Sequence, residues 1–534
     1  MALSTRIKVP LPERGIIVSH NPKRPYVYKV LRTYRNQKGQ PTNDCKSIGR
    51  LDAASGMLIP NDYYWEAYPE GAVETLPRPD AVRSIGASFL LAKTLEGLGV
   101  SGMLEEALGK ARAAGVETVA SYMARRGNVI DGITDWQETS TLSGQVKVDP
   151  RAASRLFASI SHADKMAFFR AWAARQDGPR YLAYDVTSFS TCAEGVGDAE
   201  WGHNRDGDRL PQINLGCYLD QATGLPVFYT TYPGSIVDKS HLASMMAYNK
   251  DLGVKHATFV MDRGFASTAN IGHMRRHKLP YILGVESRHK TARQAVEQVR
   301  DAIAEMPNRL PGGVYAKAVK GVFWGQPATL HVFHDPVLRE QRRSELTRAV
   351  EAEEDQLAQL AQLTAKQAKH YRRHFTITLA EDGSFAFERD WDKITAAGRD
   401  AGFFCVLTST DLPSKEILAV YRRKDAIEKA FDDLKNHTDM KRLRTHSDET
   451  TAGKMFCAFI SLIAVSQIQA KVGPVLKASK QSASKKDVLA DMDKIKIVDA
   501  STGRRLINPA TKLQRDILEA LDLTEEGLKA HAAG

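Results

Sequence analysis

The chain reads as a mixed α/β protein. Three observations predict this: a run of strand and helix patterns in the order β-β-β-α-β-α-β over residues 180–285, a stretch of different character that interrupts it, and a strand and long helix after about residue 403 that resume it. At 534 residues the chain exceeds what one hydrophobic core usually supports, so two to four units are expected. The apolar fraction of 43% supplies material for a sizeable core and excludes wholesale disorder.

Taken in order, the opening alternates apolar and polar residues through Tyr26–Tyr34, breaks at Asn36–Gly39 and resumes near Ser47, which predicts a β-rich unit over residues 1–80. Residues 81–178 turn helical, with Leu90, Leu91, Leu95 and Leu98 at helical spacing. In 179–288 the segments Arg180–Ser188, Gln212–Leu219 and Pro226–Tyr232 are strand-like, the last two joined by a D-Q-A-T-G turn. A helix capped by Asp238, a strand ending at Asp262, a helix near Ser267–His277 and a strand at Pro280–Val285 follow.

Residues 289–402 read as an insertion between two halves of one domain. Short strands at Val314–Phe323 and Ala328–Phe333 precede a charged helix from Leu338 to His374. In 403–476 the strand Phe403–Leu407 and a helix from Ser414 to Asn436 resume the core. The apolar stretch around Met455–Val465 is shorter than the ~20 residues that span a bilayer, so it reads as a buried helix and no membrane is expected. The Ser/Lys-rich Lys477–Lys486 predicts a linker, with 477–534 as a small tail unit.

Lys and Arg number 74 against 63 acids, a net charge of +11, which favours a polyanionic partner. Residues 1–40 hold nine Lys/Arg against Glu13 alone, the density expected where phosphates are neutralised. Solvated charge explains such a run equally well. Five cysteines without C-x-x-C spacing indicate neither a zinc knuckle nor a disulfide framework and suit a reducing cytosol. The charged N-terminus reads as no secretion signal.

The chemistry rests on carboxylates. Asp185 and Asp262 are read at strand exits, where rigid backbone presents an acid at the edge of a domain. A strand-end Asp also caps turns, so neither decides alone. In YRRKDAIEKAFDDLK, at about 100° per residue, Lys424, Glu428 and Lys435 lie at about −60°, −20° and −40° from Tyr421, one narrow face. Glu428 then points to the sheet edge while Tyr421, Lys424 and Lys435 meet phosphate oxygens beside it. An ordinary amphipathic helix with a Lys424–Glu428 pair accounts for the charges but not for the aspartates.

The segments YDVTS, MDRGF and Tyr421-x₂-Lys424-x₃-Glu428-x₆-Lys435 resemble the bacterial DDE insertion-sequence transposases with a Y-R-E-K signature, the insertion-sequence-four superfamily. Trp201–Asp220 and the YPGSIVD segment with Gly234 and Asp238 are similar too, and the likeness runs from about Tyr26 to Gln469. Lys424 stands where the family has Arg, which keeps the charge and loses the bidentate fork.

The resemblance implies an RNase H-like core with a β-rich plus helical insertion, an N-terminal DNA-binding region and a small C-terminal unit. It implies two Mg²⁺ ions, with Mn²⁺ as a substitute, held by Asp185, Asp262 and Glu428. It also implies double-stranded DNA as partner, both transposon ends and target, handled by a homodimer in a bacterial cytoplasm on the nucleoid. Arg263, in MDRGF, is a further DNA-binding candidate. A Trp of the insertion stacks on a flipped base in related enzymes, and Trp324 and Trp391 are the candidates here.

Other signals are weaker. His370 and His374 sit four apart on the expected inserted helix, with no acid to complete a metal site. No Walker loop occurs, and Ser188 and Ser190 lack a nucleophile elbow. A metal-dependent RNase H-like nuclease and a non-catalytic DNA binder derived from a transposase are the rival readings.

Overall fold

In the computed structural model, residues 8–19, 25–68, 79–141, 146–175, 180–202, 207–478, 485–500 and 505–533 are described. Two compact units emerge: Met1–Arg83 with Ile497–Asn508, and Ser84–Lys496 with Pro509–Gly534.

The first unit begins with an antiparallel sheet of β1 (Ile16–Val18), β2 (Tyr26–Arg35), β3 (Pro41–Leu51) and β4 (Leu58–Pro60), in that order. The β2–β3 turn forms because the Asn36 side chain accepts from the backbone N–H groups of Lys38 and Gln40, at 3.0 Å each, an Asx turn. Val27, Ile48, Leu58 and Tyr64 fill the core, while Arg32, Arg35 and Lys38 stay exposed. Of the nine basic residues singled out above, Arg6, Lys23 and Arg24 lie outside the described residues.

A second small sheet joins β5 (Pro79–Ser84), β16 (Lys496–Ala500) and β17 (Arg505–Ile507) in the order β17-β16-β5, with an Arg83–Asp499 ion pair across it. Residues expected to form a separate tail unit are therefore shared. Ile497–Asn508 belong to the first unit and Pro509–Gly534 to the second. The expected linker falls partly outside the described residues, at 479–484.

The second unit is organised on an eight-stranded mixed sheet of β6 (Arg180–Ser190), β7 (Gln212–Asp220), β8 (Pro226–Pro233), β9 (Ala257–Met261), β10 (Tyr281–Val285), β11 (Tyr315–Phe323), β12 (Gln326–His334) and β15 (Phe403–Thr408). Its order is β11-β12-β15-β10-β9-β6-β7-β8. β9 runs parallel to both β6 and β10, and the other neighbours are antiparallel. The β11–β12 hairpin, expected inside the insertion, thus extends this sheet, because its apolar residues Ala316, Leu330, Val332 and Phe333 pack into the main core.

What stands apart between β12 and β15 is helical with one hairpin, β13 (Phe375–Leu379) and β14 (Phe385–Arg389), around Val350, Leu357, Leu363 and Phe375. The single helix expected over Leu338–His374 is two, Pro336–Gln359 and Ala365–Tyr371. Thr364 starts the second with a capping box to Gln367, and that local bond competes with continuing the first.

Asp238, expected as a helix cap, lies in the first turn of Asp238–Asp251 and accepts instead from the Tyr232 hydroxyl at 2.9 Å. The apolar stretch near residue 455 belongs to the helix Asp448–Ala478, whose Phe456, Cys457, Ile460 and Ile463 are fully buried against the helices Lys110–Arg126 and Pro150–Ser159. Membrane-like hydropathy over Asp448–Lys477 is here the composition of a core helix.

Candidate active site

β6 is buried along nearly its whole length between β7 and β9, and Asp185 is one of its few partly exposed residues. Asp185 was expected at a strand exit; it sits instead at the middle of the 11-residue β6. The exit is that of β9. The parallel β6–β9 register runs through Tyr184↔Met261, and β9 stops there because Asp262 leads into the 3-10 turn Arg263–Phe265. Continuing the register by one residue brings Asp185 and Asp262 level on neighbouring strands.

β10 shapes the other side. A methyl group on Gly284 would lie 2.3 Å from the Tyr421 hydroxyl oxygen and 2.9 Å from the Arg263 nitrogen. With glycine there, Tyr421 reaches over β10 and donates to Asp262 Oδ1 at 3.2 Å. Burial, followed by the nearby Asp262 charge, pushes the Tyr421 phenol far above its ordinary range, so it remains a donor. Gly284 was not among the candidates, although a glycine inside the apolar strand YILGV is the signal of a close backbone approach.

Tyr421 lies in the last turn of the helix Ser414–Arg422, and Lys424 precedes the helix Asp425–Asp432. Lys424 Nζ lies 3.2 Å from Glu428 Oε1, 3.9 Å from Asp262 Oδ1 and 3.6 Å from Asp425 Oδ1. The Asp262 and Glu428 oxygens are thus no farther apart than the sum of the first two distances. Burial lowers the Lys424 ammonium, but Asp262 and Glu428 outweigh it and hold the group above the ordinary lysine value. The helix carrying Glu428 packs on β6 and β7, against the strand of Asp185.

Tyr421 and Lys424 therefore both meet Asp262, and Glu428 joins them through Lys424, while Lys435 is less accessible than expected. It falls in a π-helical stretch, Asp433–His437, and is buried where an open phosphate contact was expected. Bonding to i+5 in place of i+4 changes the facing of every residue after the transition. Arg263 is exposed beside Asp262, and both line a groove of about 460 Å³ with Lys424, Arg342 and Arg422.

Trp324 occupies the two-residue tip of β11–β12 with Gly325, at φ 50° and 72°, the signs of a type I′ turn. Its ring stacks on His289 at 4.5 Å and 22°. Trp391 opens the helix Trp391–Gly398, is 62% exposed, and carries the Arg389 guanidinium 5.5 Å above its ring. In the Trp201–Asp220 segment, residues 203–206 lie outside the described residues.

The histidine pair proves structural. Contrary to expectation an acid is at hand, since Glu353 lies 2.8 Å from His374 and 3.9 Å from His370, but it is also ion-paired with Arg373. That guanidinium occupies the side a metal would need.

Among the described residues no group of three His, Cys, Asp or Glu is drawn together as a metal cage. The oxygen donors nevertheless fit a hard divalent cation: Asp262 and Glu428, 44% and 59% exposed, already share one cationic group, the Lys424 ammonium.

Residues 176–464 match the family model described as a transposase DDE domain. Among solved structures, the chain is similar to the cryo-EM structure of a piggyBac transposase synaptic complex with hairpin DNA, with 10% identity, 79% of this chain and 75% of that chain covered, and a TM-score of 0.35. A search of curated protein sequences found no match.

Proposed function

Because the chain belongs to the transposase DDE domain family, whose model spans more than half of its length, we propose that it is the transposase of a bacterial insertion sequence of the insertion-sequence-four type. It cuts duplex DNA at the element ends and joins the freed 3′ end to a target, in the cut-and-paste manner. The observation that carries this finer reading is the gathering of Tyr421, Lys424 and Glu428 around Asp262, three of the four signature positions. An RNase H-like core belongs to the same reading, supported by the antiparallel β6-β7-β8 run followed by parallel β9 and β10.

In this proposal Asp185, Asp262 and Glu428 hold two Mg²⁺ or Mn²⁺ ions, which when bound polarise the scissile phosphate and ease charge on the leaving oxygen. The chain's own residues do the positioning. Tyr421 fixes the Asp262 carboxylate through its hydroxyl. Lys424 keeps Glu428 turned toward Asp262 and offers its ammonium to a phosphate oxygen, and Arg263 meets the strand from the rim of the groove. Trp324, held at a hairpin tip, presents a flat face for base stacking. The basic strands of the first unit supply salt-dependent affinity for DNA ends, and a homodimer on DNA brings two ends together.

The test is an excision and joining assay with full-length protein, Mg²⁺ and duplexes bearing the ends that flank its gene. Asp185→Asn, Asp262→Asn and Glu428→Gln are expected to keep end binding and lose cleavage by at least about 10³-fold, the scale of removing an essential catalytic group. Near-normal cutting by any one variant removes that residue from the centre. Cleavage by the unaltered protein without joining would make it a nuclease.

A further inference from the structure

Away from the Asp262 centre, a cavity of about 520 Å³ is lined by Arg442, Arg444, His446 and Lys454, with Asp131 the one acid and Cys192 at its wall. Lys454 is 1% exposed. Its ammonium donates to Asn128 Oδ1 at 3.1 Å and to the Arg444 carbonyl at 3.3 Å, both neutral acceptors. Among the described residues no carboxylate reaches ion-pair distance of this buried ammonium, a costly arrangement, and burial, with Arg444 nearby, draws it down to about 8 against the weaker pull of Asp439 and Asp131. An anion in the cavity would supply the missing charge.

The walls are built rather than incidental. Asn128 also donates to the carbonyls of Asp439 and Arg442 at 2.6 and 2.9 Å. Ser190 exchanges backbone bonds with Lys441 and Leu443 at 3.0 and 2.9 Å, which ties the cavity to the end of β6. Among the described residues the carboxylates nearest the guanidiniums, Asp208 to Arg442 and Asp439 to Arg444, are each 3.9 Å away, and both guanidiniums are more than half exposed. Water screens such pairs, so they compete little with a phosphate.

We propose that this cavity is a second phosphate site, taking a backbone phosphodiester of the DNA held at the Asp185–Asp262 centre. Ser190 is five residues beyond Asp185, about 17 Å along a strand. A duplex advances about 3.4 Å per nucleotide only along its axis while its phosphates also wind around it, so a separation of that size places the phosphate concerned a few nucleotides from the scissile one. The assignment rests on the DNA-processing reading above for its ligand, though not for the anion site itself.

Two measurements on the full chain separate the sources of phosphate. Thermal unfolding in inorganic phosphate against chloride at equal ionic strength is expected to show a higher Tm in phosphate, and Lys454→Met to abolish the difference. Arg444→Gln with His446→Gln, at exposed positions, gives the same loss should Lys454→Met fail to fold. For duplex DNA, Arg442→Gln with Arg444→Gln is expected to flatten the slope of log affinity against log salt by about 2, with ethylation interference a few nucleotides from the cut. An absent phosphate effect in the unaltered chain, or one that survives the substitutions, overturns the site. A phosphate effect lost in the variants with an unchanged DNA slope overturns the DNA assignment. A chain that binds no duplex at all fails the proposed function as well, and is recognised by that failure alone.

Discussion

A single methyl group decides whether Tyr421 reaches Asp262. Gly284→Ala would set a carbon 2.3 Å from the tyrosine oxygen, so the ring must swing away. Overpacking of this kind costs about 1–3 kcal/mol in stability, and the larger effect is expected on cleavage. Tyr421→Phe isolates the hydrogen bond: with the ring kept and the hydroxyl gone, divalent-ion affinity or cleavage is expected to fall about 10–100-fold, the usual effect of losing an outer partner of a ligand. A metal titration of cleavage rate checks it, and an unchanged midpoint and rate would remove Tyr421 from the site. Lys454 gives a pH signature. Its ordinary value of 10.5 applies to the unfolded chain and about 8 to the folded one. Between these values the unfolded chain holds a proton that the folded chain has lost, so stability rises with pH through the window, by up to ~3 kcal/mol. Below about pH 8 both states are protonated and the cost is constant. Urea unfolding at about pH 7.5 and about pH 9.5 is expected to show that rise, and Lys454→Met to flatten it.

At the scale of elements, Trp324 pays for its place. A bulky residue at φ 50° is strained by about 1–3 kcal/mol, offset in part by the stack on His289. Trp324→Asn, a residue that tolerates the left-handed region, is expected to leave Tm within a few degrees of the original while lowering excision. An equal loss of stability and activity would make the tryptophan structural. The strands around the carboxylates were legible because their apolar runs and turns are local: YDVTS, ATFVM and the D-Q-A-T-G turn all lie on the elements expected of them, whereas the single helix expected over Ser414–Asn436 breaks after Arg422 and turns π-helical at Asp433. The burial of Lys435 was not legible, since a π-helical turn obeys no fixed 100° step. Nor was the place of β11–β12. Strand character is local, but which sheet a hairpin joins is decided by partners such as β15, more than 60 residues away. Asp185 was misplaced for the same reason, because the strand end that exposes it belongs to β9.

At the scale of the molecule, two units each have their own core, and the basic β2–β3 hairpin belongs to the first. Removing residues 1–78, which leaves β5 in place, is expected to keep the cooperative unfolding of the second unit and to weaken binding to end sequences. Calorimetry and a binding isotherm check the two halves of that statement, and unchanged end affinity would take the hairpin out of DNA recognition. The carboxylates of the second unit were readable as motifs, whereas the composition of the first was not, since two of its strands come from residues after 495. That split origin has a bearing on synthesis. While the ribosome is still translating the catalytic segments, β5 has no β16 to pair with, and its open edge is available to other nascent chains. Messages cut short before codon 496 therefore yield products whose fault is a bare strand near the beginning, far from the missing part.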